Sequence, residues 1–242
     1  MRPRAEMEAI VLAGGLGARL RAAVPDLPKP MAPVNGRPFL ERLIDYWIAQ
    51  GVTRFIFSTG YRHETLAAHF GAAFHGAGVL HVVEDRPLGT GGGLLLASGA
   101  LTGTGTFLVL NGDTFFEVAL KTLSDFHAAR RADATLSLFR SPQQGRYTGI
   151  ALGNEGEIRS LGAGTKGGLA NGGVTLMERS FLAGGPWQPQ SAVSLEEDIL
   201  PLALRAGKRV YGMECAGRFL DIGVPEDYAR AAEVLGASSE KA

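Results

Sequence analysis

Two aspartates, one lysine and a glycine-rich turn are the residues of this 242-residue chain whose types and spacing can do chemistry. The turn is Gly14-Gly15-Leu16-Gly17-Ala18-Arg19, and Lys29 follows between Pro28 and Pro30. Glycines let a backbone approach a ligand closely and turn its N–H groups toward it, and such a concave row of dipoles binds anions, phosphate above all. Arg19 and Lys29 add fixed positive charge on the same side. Asp113 and Asp221 each stand just beyond a short apolar run, Phe107–Leu110 and Phe219-Leu220 respectively. Magnesium is held by one or two carboxylates, with waters and phosphate oxygens filling the remaining positions. Taken singly, either aspartate reads equally well as a cap or turn residue, and the glycines as a tight turn. Taken together, they read as a triphosphate site with a Mg2+ held by Asp113 and Asp221.

The turn is neither of the two common phosphate loops. A P-loop needs Lys-Ser/Thr directly after its last glycine, where this chain has Ala18-Arg19. The dinucleotide fingerprint needs a glycine where Leu20 stands.

These residues must be carried by strands and helices in turn. Apolar, β-branched runs predict strands at 9–13, 55–59, 80–84, 106–110 and 135–139. Between them, helices are expected at 38–50, 62–70, 91–101 and 119–131; in the first, Leu40, Leu43, Ile44, Trp47 and Ile48 share one face and Pro38 suits the first turn. Past Ser141-Pro142 the texture changes to short strands at 149–152, 157–161 and 172–176, a helix at 195–206, strands at 209–213 and 218–221, and a last helix at 225–235. Residues 237–242 form a polar tail. Strand and helix in alternation predict a doubly wound, mixed but mainly parallel α/β sheet of Rossmann-like kind, with the later segment inserted as the second side of a cleft. In such sheets ligands bind outside the carboxyl ends of the strands, so the glycine turn, the segment Pro87–Gly93 and Asn111-Gly112-Asp113 converge on one rim.

Composition narrows the partners. Lysine plus arginine equals aspartate plus glutamate at 24 each, a formal charge of zero that points away from nucleic acid and acidic membranes. A lone cysteine, Cys215, rules out an internal disulfide framework and fits a reducing compartment. No apolar run reaches the roughly 18 residues that span a bilayer, so a cytoplasmic protein is expected. The five histidines lack metal-ligand spacing and read as surface or helix-face residues. Trp47 and Phe39 read as core.

The motifs Leu12–Leu20, Pro28-Lys29-Pro30-Met31, Pro87–Gly92, Leu110-Asn111-Gly112-Asp113, Asn171-Gly172-Gly173 and Asp221–Tyr228, in this order and spacing, resemble those of the sugar-1-phosphate nucleotidyltransferases. Within that family the chain is most similar to the short guanylyltransferases acting on D-glycero-α-D-manno-heptose 1-phosphate. The resemblance implies one nucleotidyltransferase domain over 1–242, with a nucleotide part at about 7–140 and a sugar part at about 141–228. It implies Mg2+, with GTP and a sugar 1-phosphate as partners, and leaves a homo-oligomer open. The implied reaction is in-line attack of the sugar's phosphate oxygen on the α-phosphorus, releasing pyrophosphate. No protein nucleophile is needed, so the work is positioning and charge neutralisation.

The implied roles fall on Arg19, Lys29 and Asp113 for catalysis, with Arg19 on the β- and γ-phosphates and Lys29 on the α-phosphate. Nucleotide contacts are implied for Leu12, Ala13, Gly14, Gly15, Gly17, Glu84, Pro87, Leu88, Gly89, Thr90, Asn111 and Gly112. Relatives that read thymine carry an amide where this chain has Glu84. A carboxylate only accepts hydrogen bonds, and guanine offers two donors side by side, so Glu84 argues for guanine. The alternative is that Glu84 is a solvated strand-end residue.

For the sugar phosphate the resemblance implies Gly149, Asn171 and Glu196 or Glu197. Here the chain departs from the family pattern twice. Thr148 separates Tyr147 from Gly149, and the family's Glu-Lys-Pro element is replaced by Gly162–Gly168, whose Lys166 either closes over the phosphate or is only a mobile loop charge. The rival readings are a mannose-1-phosphate guanylyltransferase, a uridylyl- or thymidylyltransferase, and a regulatory subunit that binds nucleotide sugars without turnover. Retention of Arg19, Lys29, Asp113 and Asp221 argues against the last. A glycosyltransferase would want an Asp-x-Asp motif where the chain has Asn111-Gly112-Asp113.

Overall fold

The computed structural model describes residues 7–15, 20, 24–143, 145–163, 167–186 and 191–236. Its first half runs β1 (Met7–Ala13), the short strands β2 (Pro33–Val34) and β3 (Arg37–Pro38), α1 (Phe39–Ala49), β4 (Val52–Thr59), α2 (His63–Phe70), β5 (Ala73–Phe74), β6 (Ala77–Val83), α3 (Gly89–Ser98) and β7 (Thr106–Asn111). Then come β8 (Thr114–Phe116), α4 (Leu120–Ala129), β9 (Ala134–Arg140), β10 (Thr148–Leu152), β11 (Ile158–Ala163) and β12 (Leu169–Glu178). A π-helical turn at Leu195–Ile199 leads into α5 (Leu200–Arg205), and β13 (Val210–Glu214), β14 (Phe219–Asp221) and α6 (Pro225–Gly236) complete the chain.

The expected elements are present within a few residues of their expected ends, and four short strands are additional. β2 and β3 form a hairpin whose two-residue turn, Asn35-Gly36, has φ of 49° and 76°. That left-handed pair matches the twist of the flanking strands, which is why Asn-Gly is favoured there. β5 caps the end of β6, and β8 pairs with β14. The helix expected at 195–206 opens as a π-turn capped by Ser194, whose hydroxyl accepts from the Glu197 N–H while Asp198 accepts from the Ser194 N–H at 2.8 Å.

Alternation within the central strands explains why the sheet is covered on both faces. Ala9, Val11 and Ala13 of β1 belong to one core and Ile10 to the other; Phe55 and Phe57 of β4 oppose Ile56, and Leu108 and Leu110 of β7 oppose Phe107 and Val109. The first core takes α1 through Phe39, Leu40, Leu43, Ile44 and Trp47, all almost fully buried, while Ile48 packs at its margin. The second takes α3 through Leu94 and Ala97. Helices on both faces are the doubly wound arrangement.

Parallel strands run in the order β7-β1-β4-β6, and β12 pairs antiparallel with both β7 and β9, so the later segment continues the same mixed sheet. β13 joins β9 in parallel, and β10 with β11 attaches along the first residues of β12. From β1 the chain winds outward through β4 and β6 and then returns to lay β7 on the other side. The ends of β1 and β7 therefore border the crevice at which such sheets bind ligands.

Candidate active site

At that crevice the backbones of β1 and β7 come into close contact. The Gly112 N–H donates to the Leu12 carbonyl at 2.9 Å, and a Cβ on Gly112 would lie only 2.9 Å from the same oxygen. A cavity of about 290 Å3 opens beside them, lined by Leu12, Gly14, Gly15, Glu84, Pro87, Gly89, Thr90, Asn111 and Asp113. Each of these was singled out from the sequence. Ala13 and Leu88 lie buried behind them. Arg19, Gly17 and Lys166 lie outside the described residues.

Glu84 is not a solvated strand end. A Cβ on Gly14 would sit 2.4 Å from its Oε1 and one on Gly93 2.7 Å away, so two glycines clear the space for the carboxylate. Its Oε1 accepts from the Ser58 hydroxyl at 3.0 Å and its Oε2 from the Leu88 N–H at 3.0 Å. The acid thus ties the end of β6 to the turn ahead of α3, with Ser58 on β4 as a partner that sequence reasoning missed.

The glycines after it are explained by packing as much as by ligand approach. Gly89 has a φ of +72°, and a side chain there would strike the Val193 carbonyl at 2.7 Å. That same oxygen accepts from the N–H groups of Gly91 and Gly92 at 2.8 and 3.0 Å. Thr90 continues the seam: its hydroxyl donates to Glu196 Oε2 at 2.9 Å and accepts from the Leu195 N–H at 2.9 Å. Glu196 therefore reaches the wall of the cavity, whereas Glu197 is exposed.

The two aspartates meet although 108 positions part them. β8 and β14 pair with Thr114 opposite Asp221, and the Ile222 N–H donates to the Asp113 carbonyl at 3.0 Å. Lys29, on a 3-10 turn begun by Pro28, donates its ammonium to Asp113 Oδ2 and lies 3.9 Å from Asp221 Oδ1. Its side chain is only 11% exposed, against 36% for Asp113 and 16% for Asp221. Gly223 makes room for this cluster, since a Cβ there would fall 2.9 Å from the Lys29 ammonium.

Asp221 is further held from behind. Its Oδ1 accepts from the Gly223 N–H at 2.6 Å, and its Oδ2 from the Arg146 guanidinium and the Tyr147 hydroxyl at 3.3 Å each. Burial, reinforced by the Asp221 charge, pushes the Tyr147 phenol well above its ordinary value, so it stays a protonated donor. Arg146 also pairs with Asp227 at 2.5 Å. Neither Arg146 nor Asp227 was given a role from sequence; Arg146 stands beside the recognised Tyr147 and Asp227 within the Asp221–Tyr228 motif, and that adjacency was the available signal.

Among the described residues no group of three or more histidine, cysteine, aspartate or glutamate side chains could hold a metal by itself. Two carboxylates that share one ammonium are nevertheless spaced to share a divalent cation, and so fit Mg2+ that arrives with phosphate oxygens of its own. Asn171 lies at an irregularity in β12, its Oδ1 accepting from the Gly173 N–H at 3.1 Å; Gly173 has a φ of +78° and abuts Asn111 and Thr114. Gly149 sits on β10 between Gly162 and Ala170.

The nucleotidyl transferase family profile matches residues 8–238 of this chain. The chain belongs to the nucleotidyl transferase family. It is 36% identical over 232 residues to the D-glycero-α-D-manno-heptose 1-phosphate guanylyltransferase of Aneurinibacillus thermoaerophilus, covering 95% of this chain and 98% of that protein. It is 34% identical to the mannose-1-phosphate guanylyltransferase of Mycobacterium tuberculosis, covering 93% of this chain and 63% of that longer protein. Among solved structures, HddC from Yersinia pseudotuberculosis complexed with GMP-PN superimposes with a TM-score of 0.80 at 30% identity, covering 94% of this chain and 98% of that one. Among the described residues no helix is long and apolar enough to cross a membrane.

Proposed function

We propose that this family member transfers GMP from GTP to a sugar 1-phosphate, D-glycero-α-D-manno-heptose 1-phosphate, giving GDP-heptose and pyrophosphate in the cytoplasm. The observation that carries the chemistry is the Lys29–Asp113–Asp221 cluster, whose Asp113 lines the cavity walled by backbone and by Glu84. The choice of GTP and heptose is supported by the near-complete coverage of the heptose relative in both directions. Gly14 and Gly15 present backbone to the nucleotide, and Lys29 and Arg19 neutralise the triphosphate. Glu84, anchored by Ser58 and Leu88, offers its remaining lone pairs to the guanine donors. Asp113 and Asp221 hold Mg2+, which when bound supplies charge neutralisation at the attacking and leaving oxygens. Gly149, Asn171, Glu196 or Glu197 and Lys166 take the acceptor. Asn171 is supported by its hydrogen bond from the Gly173 N–H, since Gly173 abuts Asn111 and Thr114.

A mannose acceptor is the second reading, favoured by the mycobacterial relative. Pyrophosphate release and product mass, measured with GTP against a panel of sugar 1-phosphates, separate the two. Heptose 1-phosphate should give the highest kcat/KM; a lead by mannose 1-phosphate would transfer the assignment to the second reading, and no turnover with any sugar phosphate would refute both.

A further inference from the structure

Lys29 occupies the position that a shared metal would need. Its ammonium faces Asp113 and Asp221 at once, and its backbone is fixed between Pro28 and Pro30, so only its side chain can swing. Asp221 has other supports: Gly223 N–H on one oxygen, Arg146 and Tyr147 on the other. Arg146 is itself shared with Asp227. Removing Lys29 from the pair would therefore leave Asp221 in place but would strip positive charge from the two carboxylates where they converge. Two cations cannot share that space without strong repulsion, least of all at a site this sheltered from water.

We infer that Lys29 is the resident counter-ion of the Asp113–Asp221 pair and exchanges with a divalent cation, so that metal uptake by the carboxylates and release of Lys29 toward the triphosphate are one coupled event. The inference rests on the metal reading given under the proposed function. It makes the protein a poor binder of metal alone and a good binder of metal together with nucleotide, because a phosphate oxygen then receives the displaced ammonium. Binding becomes ordered by charge, with Lys29 as the positioning residue.

The test is Mn2+ binding to the intact protein without nucleotide, followed by the electron paramagnetic resonance signal of free Mn2+, for the parent, Lys29→Met and Lys29→Arg. Lys29→Met should bind Mn2+ at least tenfold more tightly than the parent, and Lys29→Arg should bind as weakly as the parent. GTP should raise the Mn2+ affinity of the parent at least tenfold more than that of Lys29→Met. Equal Mn2+ affinities in parent and Lys29→Met, with unchanged circular dichroism, would overturn the exchange. A second measurement needs no variant: acylation of Lys29, followed by mass spectrometry on the parent, should accelerate at saturating Mn2+ and not at matched ionic strength in KCl. An unchanged rate would overturn the inference even if Lys29→Met does not fold. Failure of the two readings is distinguishable. Transfer indifferent to chelator would remove the metal itself, whereas chelator-sensitive transfer with equal affinities would remove only the exchange.

Discussion

Around Gly14 and Glu84 the cleft is built from backbone and from a side chain whose oxygens are already hydrogen-bonded; around Asp221 it is built from charges that neutralise one another. In the first region the binding surface is set by close approaches, such as the 2.4 Å a Cβ on Gly14 would leave to Glu84, and by the seam from Leu88 to Leu195. In the second, Lys29, Arg146 and Tyr147 share Asp113, Asp221 and Asp227. Fixed, satisfied groups suit recognition, because they cost little reorganisation when the ligand arrives. Paired charges suit exchange, because each partner can be handed to a substrate oxygen or a metal. The pocket is a mould and the rim is a switchable charge store.

Substitutions can break that contrast at graded strengths. Asp113→Asn should have the largest effect, lowering kcat by roughly three orders of magnitude, the scale of several kcal/mol of lost charge stabilisation. Circular dichroism should be unchanged, and retained turnover would remove Asp113 from the metal site. Gly14→Ala should come next, since its Cβ must displace Glu84 or close the cavity. KM for GTP should rise about ten- to a hundredfold, equivalent to about 1–3 kcal/mol of overpacking, with kcat near the parent value. Glu84→Gln keeps the shape and removes the charge; a rise in KM for GTP of about tenfold is expected, with discrimination against UTP reduced. The smallest effect concerns the ribbon that brings the aspartates together. Hydrogen bonds from Arg218 hold the Glu117 carboxylate below its ordinary value. A depressed folded value means the contribution is present above the usual glutamate range and lost as pH falls through the folded value. Glu117→Gln should therefore lower the neutral Tm slightly, by little because the pair is partly exposed, and leave the Tm in strong acid as in the parent, so that the acid limb of Tm against pH flattens.

What sequence could disclose follows the same division. The mould is made of local signals: an apolar strand, then a turn, with glycines at fixed offsets. Hence Leu12, Gly14, Gly15, Pro87, Gly89, Thr90 and Asn111 were legible, and the cavity gathers them. The rim is made of pairings distant in sequence. The three-residue β8 is too short to show periodicity, and its pairing with β14 decides that Asp113 meets Asp221. Arg146 carries no signal of its own, because an arginine in a polar loop reads as solvated until Asp221 and Asp227 are brought beside it. The sequence places the glycines at 91–93 on the rim and at a helix start, yet the packing of Gly91 and Gly92 against Val193 and Ser191 depends on an irregular segment about a hundred residues away. Of the two alternatives for His127, surface or helix face, the helix face holds: it lies on the buried side of α4 with its Nδ1 2.8 Å from the Thr135 hydroxyl.

The central claim is that the mould selects guanine and the rim transfers its nucleotide. It is tested most directly by kcat/KM for GTP, UTP, dTTP, CTP and ATP, each with heptose 1-phosphate and Mg2+, by pyrophosphate release. GTP should lead every other nucleotide by about a hundredfold or more, the margin expected when hydrogen-bonding groups in a pocket are left unpaired by the wrong base. A lead by UTP or dTTP would contradict the account.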